Sequence, residues 1–214
     1  MGKYGYERDN WVITKSEFKQ FVDNAELKQT KIIFILMYYT GARFTEVLRL
    51  RTSNFIFEED YLTITIRNAK RKDNSVRQLK LPRGLYLMDI VEGYILDRKV
   101  RVKAGIASNN LFDIQDKKAY NFFYYRLKKI CKSVDNPISF HAFRKSRATE
   151  IANAGHSANQ IAGWLGHKTL NMSVFYVQNS TALTRDITES FKWYFFPIVV
   201  STMFIMLNLY TRKK

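Results

Sequence analysis

Between Tyr61 and Pro82 the hydrophobic pattern changes its period, and that change limits the folds open to the chain. YLTITI alternates and is β-branched, NAKRKDNS is a polar and strongly basic turn, and VRQLKLP alternates again until Pro82 ends it. The three segments predict a β-hairpin with a cationic tip. On both sides of it the pattern is helical. Thr14 followed by Glu17 is a capping-box signature that opens a first helix within residues 11–30. KIIFILMYYT is an apolar run too short to span a bilayer, so it predicts a buried helix that Gly41 punctuates. FTEVLRL then resumes as an amphipathic helix with Phe44, Val47 and Leu48 on one side. Further helices are expected over 84–103, near 116–132, from about 141 to 153 with Gly155 as its stop, and over SANQIAGWLGH. The reading is a mixed, mainly helical chain with one hairpin.

Five side chains outside that hairpin make an odd set for ordinary packing. They are Arg43 in TGARFTEVLRL, His141 and Arg144 in HAFRKSRAT, His167 in LGHKTL, and Tyr176 nine residues later. Two guanidiniums, two imidazoles and a phenol suit chemistry on a phosphodiester in which the protein is the nucleophile. A tyrosine oxygen can attack phosphorus and hold the strand end covalently. Arginines can stabilise the charge that builds on the non-bridging oxygens. On a helix His141 and Arg144 lie three apart and share a face, so one can hydrogen-bond a phosphate oxygen while the other grips it with a planar fork. Taken singly, each has a structural reading: a surface pair, a salt bridge from Arg43 to Glu46, a core tyrosine. Their joint occurrence in these local sequences favours the chemistry.

Charge points to the partner. With 35 Lys+Arg against 19 Asp+Glu the chain carries +16, which asks for a polyanion, either nucleic acid or an anionic membrane surface. Lys70, Arg71, Lys72 and Arg77 surround the hairpin, and Lys117, Lys118, Arg126, Lys128 and Lys129 lie on or beside a later helix. Such groups would supply phosphate contacts that position a duplex without reading it. Phe122, Phe123, Tyr124 and Tyr125, at helical spacing, read as core at least in part. The single Cys131 forbids an intramolecular disulfide and reads as an ordinary residue of a reducing compartment.

The C-terminal part differs in kind. Trp193–Thr211 is 19 residues without a formal charge, flanked by Lys192 and by Arg212, Lys213 and Lys214. The length and the flanking aromatics fit a membrane helix, and the alternative is a segment docked on its own domain or on a neighbour.

TGARFTEVLRL resembles the first arginine box of the tyrosine recombinases, the family of phage integrases and Xer-type resolvases. HAFRKSRATEIANAGHSANQIAGWLGHKTLNMSVFYV resembles their second box over its whole length, including the His-to-Tyr spacing. The resemblance covers roughly residues 11–190 and implies an α+β fold, mainly α-helical, with a small antiparallel sheet beside the active site. It implies that Arg43 and Arg144 clamp the scissile phosphate, and that His141 and His167 hydrogen-bond it, His141 also helping to move the phenol proton. Tyr176 would attack to leave a 3′-phosphotyrosyl bond and a free 5′-hydroxyl. Glu46 would orient neighbours, and a hairpin lysine would be the general acid for the leaving oxygen. Alignment from the first strand selects Lys70 for that role, and alignment from the second selects Lys72; Lys70 is preferred.

That chemistry needs neither metal nor nucleotide, so no cofactor and no metal site are expected, and His156 reads as surface or cap. The implied partners are double-stranded DNA and further copies of the chain, a tetramer on DNA. The implied location is the cytoplasm with the nucleoid, at the membrane if 193–211 spans it. The box usually has an Arg-His pair where Arg144 and Lys145 stand. Only 42 residues precede Arg43, so 1–190 is expected to be the catalytic domain without a separate core-binding domain, and 191–214 a hydrophobic tail. Other readings stay open: a catalytically idle DNA-binding remnant, the C-terminal fragment of a split integrase, or a membrane-tethered DNA-organising protein.

Overall fold

The helix α2 (Lys28–Thr40) is the axis around which the chain packs. The computed structural model describes residues 12–69, 75–114, 116–133 and 138–181, and within it nearly every side chain of α2 from Ile32 to Thr40 is buried. That is the outcome expected of a run that is apolar on all sides. Around it pack α1 (Lys15–Asp23), α3 (Phe44–Leu48), α4 (Met88–Lys103) and α6 (Phe140–Asn153). The capping box at the start of α1 forms as the sequence predicts: Glu17 N–H donates to Thr14 Oγ1 at 3.2 Å and Thr14 N–H donates to Glu17 Oε2 at 2.7 Å. Gly41 ends α2 in the left-handed region at φ 61°, with its N–H on Met37 O at 2.9 Å. A Cβ there would collide with Leu165 and come within 3.1 Å of the Arg147 Cβ, so the glycine also lets the neighbouring helices approach.

The hairpin is observed as β2 (Tyr61–Arg67) and β3 (Val76–Pro82), antiparallel, with Arg67 opposite Val76 and Tyr61 opposite Pro82. Leu62, Ile64 and Ile66 of β2 meet Leu81, Leu79 and Arg77 of β3 on the inner face. A third strand, β1 (Phe55–Phe57), pairs with β2 and completes a sheet of order β1-β2-β3. Three residues are too few to show a period, so FIF carries no readable strand signal.

The other expected helices are present as α4, α5 (Asp116–Ser133), α6 and α7 (Ala158–Leu165), and the segment holding Tyr176, for which no helix is predicted, forms α8 (Asn171–Gln178). In α5, Phe123 is fully buried while Tyr125 is largely exposed, so the aromatic run is part core and part surface. Several α5 cations have partners within the fold. Lys129 pairs with Glu26 at 2.6 Å, and Arg126 lies over the Phe122 ring, 3.8 Å from its centroid. Cys131 is buried and burial pushes its thiol up, which removes the thiolate its lysine neighbours would favour.

A smaller apolar cluster stands apart from the main core. It joins Ala148, Ile151 and Ala152 of α6 to Ile161 and Leu165 of α7 and to Tyr176 of α8. Among the described residues no helix is long and apolar enough to cross a membrane. Lys70, Arg71, Lys72, the side chain of Lys117 and the tail 191–214 lie outside the described residues.

Candidate active site

Arg43, the N-cap of α3, follows Gly41 and Ala42 at the corner between α2 and α3. Its guanidinium donates to Glu46 Oε1 at 2.8 Å and remains partly exposed, so the salt bridge and an outward-facing edge coexist. Glu46 is wholly buried. Its Oε1 also accepts from Ala69 N–H at 3.1 Å, and its Oε2 accepts from Arg43 N–H at 3.0 Å and from Arg77 Nη2 at 2.8 Å. Burial would raise the Glu46 carboxyl, but the Arg77 charge and these hydrogen bonds overcome it and hold it at about 2. Glu46 is therefore an anion at neutral pH that joins three parts of the chain.

Arg144 is buried on α6. Nη1 donates to Gly41 O and Nη2 to Leu165 O, each at 2.8 Å. Both acceptors lie where a helix ends, α2 at Gly41 and α7 at Leu165. Those carbonyls are unpaired within their helices and carry the negative end of the macrodipole, so a cation suits them. Burial, with Arg43 and Arg77 nearby, lowers the Arg144 pKa to about 9, and it is still a cation at neutral pH.

His167 follows Gly166, the left-handed residue at φ 69° that ends α7. Its Nδ1 lies 2.7 Å from Ser173 Oγ, a fully buried hydroxyl on α8. Burial, then the charges of Arg144, Arg43 and Arg77 and the nearby His141, lower His167 to about 4, so the ring is neutral at pH 7. His141 is exposed on the first turn of α6. Tyr176, one helix turn after Ser173, is buried at 7% exposure; burial raises its phenol and Arg144 opposes the rise.

The structure thus brings Arg43, His141 and Arg144 within electrostatic reach of His167, and Tyr176 within reach of Arg144. Lys70 and Lys72 fall outside the described residues. One expectation is corrected. Arg77 does not face outward as a duplex contact: it is 8% exposed and bonded to Glu46 and Asn68. Strand alternation carried the signal, because residue 77 shares parity with Leu79 and Leu81. Ser173 and Asn68 had no signal in the sequence.

Residues 11–182 match the phage integrase family. The chain belongs to that family. Within the phage integrase family it is similar to the tyrosine recombinase XerA of Pyrococcus horikoshii, 26% identical over 180 residues that cover 84% of this chain and 61% of the relative. It is also similar to transposase A from transposon Tn554 of Staphylococcus aureus, 23% identical over 72% of this chain and 45% of that protein. The chain therefore spans roughly half the length of the curated relatives it matches. Among solved structures, the XerH recombinase bound to its difH substrate superposes with a TM-score of 0.62 at 21% identity, over 78% of this chain and 50% of that one. The catalytic domain of bacteriophage HP1 integrase gives 0.58 at 15% identity, over 83% of this chain and 93% of that domain. The fold is that of the phage integrase catalytic domains, mainly helical with a three-stranded antiparallel sheet.

Proposed function

We propose that this chain cleaves and rejoins DNA strands at specific sites through a covalent 3′-phosphotyrosyl intermediate on Tyr176. The observation that supports the reading is that Arg43, His141 and Arg144, from two separate segments, act on the His167 ring of a third, while Arg144 also acts on the Tyr176 phenol of a fourth. The Tyr176 oxygen attacks the phosphorus, the bond to the 5′ oxygen breaks, and religation reverses the exchange with no external energy source. Arg43 and Arg144 hold the non-bridging oxygens, and Arg144 is preorganised because two backbone carbonyls fix its fork. His167 donates from Nε2 when Ser173 Oγ–H donates to its Nδ1, and a ring kept neutral suits that tautomer. His141 takes part in removing the phenol proton, which is needed because the buried phenol is protonated at rest. Lys70, or Lys72 as the alternative, protonates the leaving 5′ oxygen. The substrate is duplex DNA, bound by a tetramer of chains, with 1–190 as the catalytic domain. The likeness of the fold to XerH bound to its difH substrate, and to the Tn1549 integrase in complex with transposon right end DNA, supports that substrate.

The test incubates the purified chain with nicked suicide duplexes tiled from the DNA flanking its own gene. A labelled protein–DNA band that survives SDS, and is lost in Tyr176→Phe, is expected. Binding to these duplexes without any adduct would refute the reading and favour an idle DNA-binding remnant.

A further inference from the structure

Arg77 occupies a place where strand alternation asks for an apolar side chain. It shares the inner face of β3 with Leu79 and Leu81 and stands opposite Ile66. A guanidinium in such a slot costs several kcal/mol unless it is paired and hydrogen-bonded. Here Nη2 donates to Glu46 Oε2 and Nη1 donates to Asn68 Oδ1. Both partners belong to the framework of the phosphate pocket. Glu46 holds the corner that carries Arg43. Asn68 closes the root of the hairpin, with its N–H on Ser75 O at 2.9 Å and its Nδ2 on Ser75 Oγ at 3.0 Å.

A third neighbour completes the junction. A Cβ added at Gly166 would overlap Asn68 Oδ1 and lie 2.8 Å from Arg77 Nη1. The turn that presents His167 therefore rests directly on the Arg77–Asn68 pair.

We propose that Arg77 is a positioning residue that fastens the Arg43 corner, the hairpin root and the His167 turn into one rigid unit. The inference rests on the reading of this place as a phosphate-binding site. Arg77 engages the Asn68 and Glu46 side chains through Nη1 and Nη2, and its Nε is shut off from solvent, so its part is to hold those two framework residues together. Lysine cannot replace it, because a point charge on a flexible stem cannot bond Glu46 and Asn68 together. The charge of Arg77 also reaches His167. Arg144 and His141 from α6 and Arg43 from the head of α3 act on the same ring, while Ser173 of α8 bonds its Nδ1.

The test compares the full chain with Arg77→Gln and Arg77→Lys in three measurements. In the DNA-free protein, NMR follows the titration of the His167 ring. Arg77→Gln is expected to move it upward by about half a pH unit or more, and Arg77→Lys to leave it close to wild type. The rate of adduct formation on a nicked duplex is expected to fall roughly 10- to 100-fold in both variants, as misplacement of a reacting group predicts. The salt dependence of DNA binding is expected to stay unchanged, whereas loss of a direct phosphate contact lowers the log–log slope by about one.

A reduced slope would overturn the proposal by making Arg77 a phosphate ligand. An unmoved His167 titration with an unaltered rate would overturn it by making Arg77 mere scaffold. If wild type forms no adduct, the strand-cleavage reading fails, and the placement of Arg77 is decided by the His167 titration alone. Should Arg77→Gln not fold, Glu46→Gln/Arg77→Gln removes both buried charges together. That pair is expected to recover stability without recovering rate, and recovery of both would count against positioning.

Discussion

Replacing Glu46 by glutamine keeps its shape and removes its charge, and the structure sets how much that should cost. Each carboxylate oxygen accepts from two donors: Oε1 from Arg43 Nη1 and Ala69 N, Oε2 from Arg43 N and Arg77 Nη2. In either orientation of the amide, its NH2 group faces two donors, and Arg77 is left without a buried counter-charge. Breaking a buried pair in this way costs about 3–5 kcal/mol. Proton linkage gives a second figure of similar size. The Glu46 pKa is about 2 in the fold; against roughly 4.3 in the unfolded chain the difference is worth about 3 kcal/mol. The folded value is depressed, so this contribution is complete above the unfolded pKa and is lost as pH falls through the folded one. At pH 3 roughly half of it remains. Urea denaturation of wild type and Glu46→Gln at pH 7 should therefore differ by about 3 kcal/mol or more, and the difference should be clearly smaller at pH 3. A gap below about 1 kcal/mol at pH 7, or one of equal size at both pH values, would refute the argument.

Four further outcomes are expected. Gly166→Ala meets both a left-handed backbone and the Arg77–Asn68 pair, so it should lose at least about 1–2 kcal/mol in a thermal melt. Gly163→Ala in α7, with open space at the Cβ, should instead gain up to about 1 kcal/mol. An anion in the pocket would raise His167 from about 4, so binding takes up a proton; affinity for inorganic sulfate, measured by calorimetry, should rise as pH falls from 7 to 5. Arg144→Met leaves two helix-end carbonyls without their donor, and a denaturant-midpoint loss equivalent to about 2 kcal/mol or more is expected along with loss of adduct.

Long and periodic features were legible in the sequence, and short or mutual ones were not. The uniformly apolar KIIFILMYYT announced a buried helix, and the Thr14–Glu17 spacing announced a cap, because each is a local pattern with a local cause. The two boxes singled out Arg43, His141, Arg144, His167 and Tyr176, and in the fold Arg144 acts on both the His167 ring and the Tyr176 phenol. The hairpin's charge misled at Arg77: counting cations hid the parity that places residue 77 with Leu79 and Leu81. Nothing local marks Ser173 as the partner of His167 or Asn68 as the partner of Arg77, since those bonds exist only after distant segments have met.

The two strongest anchors of the site differ in what holds them, and that difference bears on how relatives can diverge. Glu46 and Arg77 bind side chain to side chain, so a change at one position can be answered by a change at the other. Arg144 binds main-chain oxygens, which every residue at positions 41 and 165 possesses. Covariation across a deep set of homologues should therefore link positions 46 and 77 and leave position 144 without a correlated partner. In such a record the best-anchored arginine of the site would look solitary, since its partners are main-chain carbonyls and not side chains.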